Sequence, residues 1–334
     1  MEKKIICFGV RDYEKKYFEQ LGEKYGYDLV LRPEYLNNDC WELAKGYEIV
    51  MVRGNCVVDR DHMKLLKDNG LKYYLTRTAG YNHVDVQACK DFGIETAFVP
   101  GYSPNAISEL ALTLGMMLLR NTAYTVNQTH NGDFRVTNQM FSREVRGCTV
   151  GIMGCGRIGC TTAKLFKGLD AKVIGYDVFQ SDYAKSILEF EDLDSFVKDA
   201  DVIVCHMAYI KGKNDNFINA ELISKMKEDA VLVNVARGEV MDTAAALEAV
   251  KNGHLAGLAM DVIDHEKSLF NKSFDPKHMD NPIHQEIIDL YPKVLITPHI
   301  ASATDLALID MIEVSLKNMD EYLTTGKCKN SLIK

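Results

Sequence analysis

The 334-residue chain lacks the features that mark several classes of protein. It has no block of lysine or arginine residues and a formal net charge of -8, which argues against a surface that follows nucleic-acid phosphates. Its longest apolar stretch, residues 110–119, is too short to span a bilayer. No basic-then-apolar signal segment opens the chain. We therefore expect neither a nucleic-acid partner nor a membrane partner.

The chain also lacks a cysteine pattern for metal binding or disulfide formation. Its nine cysteines are odd in number and include no C-x-x-C pair. Such a set is typical of reduced, structural thiols in a reducing compartment. The sequence therefore predicts a cytoplasmic location and no metal site.

Repeats, low-complexity tracts and linkers rich in proline, glycine or serine are missing as well, so domain limits must follow from the order of the elements. Apolar runs alternate with amphipathic segments, which is typical of parallel α/β folds, and the chain is long enough for two cores. The fold class predicted is α/β with two doubly wound parallel-sheet domains. Strands are predicted at 4–10, 48–53 and 72–76 and at 149–153, 172–176, 202–205, 230–234, 257–261 and 294–297; helical or amphipathic segments are predicted at 12–25, 39–45, 59–69, 106–119 and 304–323.

A glycine-rich turn between a predicted strand and a predicted helix is the most informative motif. It reads Gly154-Cys155-Gly156-Arg157-Ile158-Gly159, a G-x-G-x-x-G fingerprint. Its glycines permit a tight turn, approach of a pyrophosphate to the backbone, and close packing of the helix, whose N-terminus favours anions. The next predicted strand leads to Asp177, placed to bind ribose hydroxyls and to repel a 2′-phosphate. The central domain is therefore predicted to be a Rossmann domain that binds NAD rather than NADP.

Several ordered segments resemble one known family. They are Thr76-Arg77-Thr78-Ala79-Gly80, Val99-Pro100-Gly101-Tyr102-Ser103-Pro104-Asn105, the fingerprint, Val233-Asn234-Val235-Ala236-Arg237-Gly238, Ala259-Met260-Asp261-Val262 and Thr297-Pro298-His299. Over essentially the whole chain they resemble the D-isomer-specific 2-hydroxyacid dehydrogenases. The resemblance implies a substrate domain of residues 1–101 and 300–334, an NAD-binding domain of residues 102–299, and a site in the cleft between them. It also implies a homodimer built through the NAD-binding domains and the helix after Pro104.

Three side chains are candidates for the chemistry of such an enzyme. Reduction of a 2-oxo acid needs a hydride, a proton for the carbonyl oxygen and a cation for the carboxylate. His299 and Arg237 each follow a predicted strand, where catalytic groups of α/β sheets usually lie. The resemblance implies that His299 is the acid/base, Glu266 its carboxylate partner and Arg237 the carboxylate binder. The alternatives are a surface or core histidine, a surface glutamate and a strand-end salt bridge.

The resemblance implies further contacts with substrate and cofactor. The backbone N–H groups of Ala79 and Gly80 would bind the substrate carboxylate, and Tyr102 would line its pocket. Cofactor contacts are implied for Gly154, Gly156, Arg157, Ile158, Gly159, Asp177, His206, Val235, Ala236 and Asp261. The chain departs from the family pattern after His206, because the family commonly has a proline two residues later, where this chain has Ala208.

Arg53 discriminates between possible substrates. It ends a predicted strand, in Val52-Arg53-Gly54-Asn55-Cys56, where lactate-type relatives usually carry a tyrosine. A guanidinium there would pair with a second carboxylate, and the pattern resembles that of (R)-2-hydroxyglutarate dehydrogenases of glutamate-fermenting anaerobes. Ser302, where lactate-type members tend to have an aromatic residue, leaves room for a longer substrate. The alternative is that Arg53 pairs with a carboxylate of the protein.

The sequence therefore predicts an NADH-dependent reductase of 2-oxoglutarate to (R)-2-hydroxyglutarate. One alternative is a D-lactate dehydrogenase or a dehydrogenase for branched or aromatic D-2-hydroxy acids. An alternative of another class is an NAD-sensing, corepressor-like binding protein. Formate dehydrogenases are also similar to this chain but lack the glutamate found at Glu266.

Overall fold

The computed structural model describes residues 3–333, which form two compact units. The first contains the residues up to Ser103 together with those from Ala303 onward, and the second is Pro104–Ser302. The limits predicted from the sequence are 101/102 and 299/300. In the described part of the chain, no helix combines the length and the apolar character needed to cross a membrane.

The described residues contain these strands and helices, in chain order. The strands are β1 (Lys4–Cys7), β2 (Asp28–Leu31), β3 (Ile49–Val52), β4 (Tyr73–Thr76), β5 (Glu95–Ala97), β6 (Thr149–Met153), β7 (Lys172–Tyr176), β8 (Glu189–Phe190), β9 (Val202–Cys205), β10 (Ala230–Asn234), β11 (Leu255–Met260) and β12 (Val294–Ile296). The α-helices are α1 (Lys15–Tyr25), α2 (Arg60–Asp68), α3 (Val86–Asp91), α4 (Pro104–Leu119), α5 (Thr122–His130), α6 (Arg157–Lys167), α7 (Asp182–Lys185), α8 (Leu193–Asp199), α9 (Ala220–Ser224), α10 (Thr243–Lys251), α11 (Pro282–Asp289) and α12 (Asp305–Thr325). Short 3₁₀ helices lie at Asp12–Glu14, Trp41–Ala44, Asn138–Met140, Val145–Gly147, Gly238–Val240 and Glu266–Ser268.

The first unit contains a parallel sheet of order β2-β1-β3-β4-β5. Both faces of a parallel sheet are apolar and are buried beneath helices. On one face, α1 and α12 contribute Phe18, Ile312 and Leu316 to a buried cluster. On the other, α2 contributes Met63 and Leu66. The strand order reverses between β1 and β3, and ligands of open α/β sheets bind at the carboxyl ends of the strands at such a point.

The second unit contains a parallel sheet of order β12-β11-β10-β9-β6-β7-β8. Its first strand, β6, lies between β7 and β9, so the order reverses there as in the Rossmann fold. The glycine-rich turn follows β6 directly, which places it at the reversal. The predicted fold class, two doubly wound parallel sheets with a central Rossmann unit, is confirmed.

The predicted elements differ from the observed ones mainly at sheet edges. The strands β6, β7, β9 and β10 occupy the predicted residues, whereas β11 covers Leu255–Met260 rather than 257–261. The edge strands β2, β5 and β8 were not predicted, because they are short and partly exposed and give a weaker pattern than the buried central strands. The amphipathic segment predicted at 39–45 forms only a short 3₁₀ helix.

The cysteines are unpaired and mostly buried. All nine are free, and eight are buried, the exception being Cys40. Burial raises the pKa of Cys155 and of Cys205 to about 12, so these thiols stay protonated and unreactive at neutral pH. Within residues 3–333, no group of three or more His, Cys, Asp or Glu side chains could hold a metal ion.

Candidate active site

His299 and Glu266 form a hydrogen-bonded pair in the second unit. The Nδ1 atom of His299 lies 3.0 Å from both Oε1 and Oε2 of Glu266. A carboxylate only accepts hydrogen bonds, so Nδ1 carries a proton and Nε2 is the nitrogen left for a substrate. The two side chains are 41% and 36% exposed. The structure thus brings together two residues that lie far apart in the sequence.

Asp261 holds the loop that carries His299. Its carboxylate accepts hydrogen bonds from the Thr297 hydroxyl at 2.6 Å, the Ile300 N–H at 2.8 Å and the Ala301 N–H at 2.9 Å. Burial raises the pKa of Asp261, and these bonds oppose the rise. His299 has a φ of 54°, a left-handed conformation that a residue other than glycine keeps only when its surroundings enforce it. Asp261, predicted as a cofactor contact, therefore uses its carboxylate to position the His299 backbone.

Arg237 lies in a tight turn after β10. The Asn234 amide fixes this turn, since its Oδ1 accepts from the Ala236 N–H at 3.1 Å and its Nδ2 donates to the Arg237 carbonyl at 3.0 Å. The Arg237 guanidinium donates from Nη1 to the Ala236 carbonyl at 2.7 Å. Within residues 3–333 that contact is to backbone rather than to a carboxylate, so the strand-end salt bridge is not formed.

Gly238 lets the loop of Arg237 approach the loop that leads to Glu266. A Cβ atom added at Gly238 would lie 2.0 Å from the carbonyl carbon of Ile263 and 2.1 Å from the nitrogen of Asp264. Contacts this short are impossible, so only glycine permits this approach. Sequence reasoning assigned no role to Gly238, although a glycine directly after a strand-end arginine is a usable signal for close backbone packing.

The glycines of the fingerprint have three different environments. Gly154 has a φ of 95°, and a Cβ there would lie 2.7 Å from the His206 carbonyl carbon. A Cβ at Gly159 would lie 2.1 Å from the Gly154 oxygen, whereas one at Gly156 would meet nothing within 4 Å. The first and third glycines are thus required by packing, and the second faces open space at the start of α6. This is the arrangement that a pyrophosphate needs.

Asp177 and His206 flank this turn. The Asp177 carboxylate accepts from the Cys155 N–H at 2.6 Å and from the Phe179 N–H at 2.9 Å, and each oxygen keeps a further lone pair for a ribose hydroxyl. The His206 Nε2 atom lies 2.8 Å from Oγ1 of Thr162. Burial lowers the pKa of His206 to about 3, so the ring is neutral. Its contact with α6 is internal, and the predicted cofactor contact of His206 stays a prediction.

Arg53 lies directly after β3, where the first sheet reverses its strand order. Its Nη1 atom is 3.3 Å from Oε1 of Glu14, and Oε2 of the same carboxylate is 3.0 Å from Nη2 of Arg77. The side chains of Arg77 and Glu14 are only 1% and 3% exposed, whereas that of Arg53 is 24% exposed. Arg53 therefore does have a protein carboxylate beside it, but shares it with a second arginine. Sequence reasoning missed Glu14, which sits in a short 3₁₀ turn with no apolar pattern.

Two of the remaining first-unit candidates for substrate binding lie in the turn after β4. Ala79 and Gly80 are half-buried, and the Gly80 carbonyl accepts a hydrogen bond from the Thr78 hydroxyl at 2.7 Å. Tyr102, also half-buried, belongs to the same unit. The structure thus places Arg53, Ala79, Gly80 and Tyr102 in the first unit, and His299, Glu266 and Arg237 in the second.

A match to a family model identifies the protein family of this chain. Residues 112–301 match the model of the D-isomer specific 2-hydroxyacid dehydrogenase, NAD binding domain. The chain belongs to the D-isomer-specific 2-hydroxyacid dehydrogenase family. Among curated relatives, the dehydrogenase is 36% identical to an aromatic 2-oxoacid reductase of Clostridium sporogenes, over 99% of each chain. It is also 36% identical to a D-lactate dehydrogenase of Lactiplantibacillus plantarum, over 97% of each chain.

Solved structures agree with this assignment. A D-2-hydroxyisocaproate dehydrogenase superimposes with a TM-score of 0.90 at 33% identity, over 99% of this chain and 100% of that one. The D-lactate dehydrogenase of Lactobacillus jensenii, solved with NAD+, superimposes with a TM-score of 0.88 at 31% identity, over 99% of this chain and 100% of that one. The dehydrogenase uses NAD, and the open space at Gly156 and the carboxylate of Asp177 fit that cofactor.

Proposed function

We propose that the dehydrogenase reduces 2-oxoglutarate to (R)-2-hydroxyglutarate. The observation that supports this substrate is the incompletely neutralised charge of Arg53, at the point where the first sheet reverses its strand order. Two guanidinium groups, of Arg53 and Arg77, face the single carboxylate of Glu14, which leaves one positive charge (2 - 1 = 1). The distal carboxylate of 2-oxoglutarate would supply the missing negative charge.

Burial decides which arginine needs Glu14 more. Arg77 is fully buried, and an ion left unpaired in a protein interior costs about 3–5 kcal/mol. Its guanidinium also donates to the Gly9 carbonyl at 2.9 Å and lies over the Phe18 ring. Glu14 therefore neutralises Arg77 first, at 3.0 Å against 3.3 Å for Arg53. Arg53, the more exposed of the two, stays available to an anion from outside the protein.

The proposed chemical roles are those that the family resemblance implies, and the hydrogen bonds between His299 and Glu266 support them. When bound, NADH supplies a hydride to the carbonyl carbon of the substrate. The Nε2 atom of His299 donates the proton that the carbonyl oxygen takes up. Glu266 accepts the hydrogen bond from the Nδ1–H group of His299, which stays protonated, and so fixes the orientation of the ring. Arg237 binds the substrate carboxylate, together with the backbone N–H groups of Ala79 and Gly80.

A second candidate is reduction of monocarboxylic 2-oxo acids. The names of the curated relatives favour it, since they include an aromatic 2-oxoacid reductase and D-lactate dehydrogenases. The ion pair between Arg53 and Glu14 also favours monocarboxylic substrates, because it gives Arg53 a structural partner that needs no substrate carboxylate. These relatives are enzymes, which argues against the corepressor-like alternative.

The Arg53→Met variant separates the two candidates. It removes a charge-assisted hydrogen bond of about 1.5–3 kcal/mol, so kcat/KM for 2-oxoglutarate should fall about 10- to 150-fold. Activity with 2-oxohexanoate, which has no distal carboxylate, should hold or rise. The control is Arg60→Met, which removes an exposed arginine of the same unit that pairs with Asp91. Equal losses on both substrates would assign Arg53 to the fold and leave a dehydrogenase for monocarboxylic 2-oxo acids.

We also propose a homodimer. Phe134, Val136 and Phe141, in the segment after α5, are 77%, 91% and 88% exposed in the single chain. Burying such side chains against a second copy would stabilise the assembly. Light scattering after gel filtration should give twice the mass of the chain, and a Phe134→Asp/Phe141→Asp variant should give a larger monomer fraction. The cytoplasmic location stays a prediction.

A further inference from the structure

A chain of three hydrogen bonds links His83 to the turn after β4. The His83 Nε2 atom lies 2.9 Å from Oγ1 of Thr76, and this hydroxyl lies 2.7 Å from Oγ1 of Thr78. The Thr78 hydroxyl lies 2.7 Å from the Gly80 carbonyl oxygen. Thr76 is buried, and the other members are half-buried. The chain therefore runs from the segment before α3 to the turn that contains Ala79.

The direction of every bond in this chain follows from its last acceptor. A carbonyl oxygen can only accept, so the Thr78 hydroxyl donates its one hydrogen to Gly80. The Thr76 hydroxyl must then donate its own hydrogen to Thr78. That leaves His83 as the donor to Thr76, so its Nε2 carries a proton. Neutral and protonated imidazole both satisfy this requirement, and the chain does not depend on the charge of His83.

We propose that His83 is a positioning residue for substrate binding, acting through Thr76 and Thr78. By donating into the chain, it fixes the hydroxyl that holds the Gly80 carbonyl, and with it the backbone N–H groups that face the substrate carboxylate. This inference rests on the role proposed above for Ala79 and Gly80. It does not depend on Arg53, because every 2-oxo acid carries the carboxylate that these N–H groups bind.

The effect of His83 therefore belongs to substrate affinity and is shared by all substrates. In His83→Leu, the KM for 2-oxoglutarate and that for 2-oxohexanoate should rise by the same factor, about 5- to 30-fold, with kcat within about 2-fold of the wild type. Binding of NADH, followed by its fluorescence, should not change. His83→Gln, which keeps an N–H donor, should recover most of the affinity. Arg53→Met, by contrast, should discriminate between the two substrates, so either proposal can fail without the other.

Thr78→Val provides a second test and covers the case in which His83→Leu fails to fold. It removes the last donor of the chain with little change of volume and should raise both KM values as His83→Leu does. The double variant should have the same KM values as Thr78→Val alone, since loss of one hydrogen bond already interrupts the series from His83 to Gly80. The proposal is overturned if the two single effects multiply, if His83→Gln is as impaired as His83→Leu, or if Thr78→Val keeps both KM values.

Discussion

Substitution of Gly238 by alanine should disable the enzyme while leaving it folded. The added Cβ would lie 2.0 Å from the Ile263 carbonyl carbon, whereas non-bonded carbon atoms normally lie ~3.5–4.0 Å apart. The backbone segments must therefore separate by about 1.5 Å, the difference between ~3.5 Å and 2.0 Å. One segment carries Arg237 and the other leads to Glu266, so the change acts on the relative position of two proposed site residues.

The expected loss of activity follows from this displacement. A misplacement of about 1 Å in an active site can cost about 100-fold in rate, so kcat/KM for the best 2-oxo acid should fall ~100-fold or more. Overpacking of this kind costs about 1–3 kcal/mol, which leaves a folded protein that urea unfolding can measure. Gly238 does not have a left-handed φ, so alanine adds no backbone strain and the effect is steric.

Gly147→Ala is the matched control for this prediction. It lies in the same unit, and a Cβ there would meet nothing within 4 Å. Its activity and its unfolding free energy should equal those of the wild type. A Gly238→Ala enzyme that keeps kcat/KM within about 3-fold of the wild type would refute the idea that this close approach sets the site geometry.

Three further predictions concern the cofactor turn, the acid/base pair and acid stability. Gly156→Ala should weaken NADH binding about 10-fold or more, measured by fluorescence titration, because its Cβ would lie in the space that the pyrophosphate needs. It should not lower the Tm, since this Cβ meets no protein atom within 4 Å. Gly159→Ala places its Cβ 2.1 Å from a backbone oxygen and should lower the Tm, measured by calorimetry. Glu266→Gln should lower kcat/KM for reduction about 10-fold or more, because an uncharged amide oxygen is a weaker acceptor for the Nδ1–H group of His299 and holds the ring less firmly; an unchanged kcat/KM removes Glu266 from the mechanism. Burial lowers the pKa of His206 from 6.5 to about 3. Above pH 6.5 the ring is neutral in the folded and in the unfolded chain, so it makes the free energy of unfolding independent of pH. As the pH falls from 6.5 toward 3, only the unfolded chain binds the proton, and the free energy of unfolding decreases by up to about 1.4 kcal/mol per pH unit. Urea unfolding at about pH 7 and pH 5 should therefore show a smaller acid loss for His206→Gln than for the wild type.

The central strands could be predicted from the sequence because their environment is uniform. Strands such as β9 and β10 are buried on both faces, so they appear as continuous apolar runs with sharp ends. Edge strands have one open side, and β8, with only Glu189 and Phe190, carries no pattern at all. The fingerprint was recognisable for another reason, because its glycines fall at a fixed spacing between a strand and a helix.

Contacts between distant residues were harder to predict. The pairing of His299 with Glu266 came from the resemblance to a family, since neither residue shows an unusual local pattern. The burial of Glu14 between two arginines depends on how a loop after β1 folds over the ends of β3 and β4, which no periodicity describes. The same holds for the hydrogen bonds by which the Asp261 carboxylate holds the loop of His299, while the cofactor contact of Asp261 stays a prediction.

The return of α12 to the first unit reverses the order in which the two units can be completed during synthesis. The first unit begins the chain, but one face of its sheet, with Ile5, Met51 and Leu75, is covered in part by residues of α12 such as Ile312. About 200 residues of the second unit are made in between, which at ~5–20 residues per second takes roughly 10–40 s. A nascent chain that stops at Ser302 should therefore bind a hydrophobic dye that the full-length protein does not bind. Protection of this face by a chaperone would matter most during that interval, and the second unit, though later in the sequence, is the first that can fold to completion.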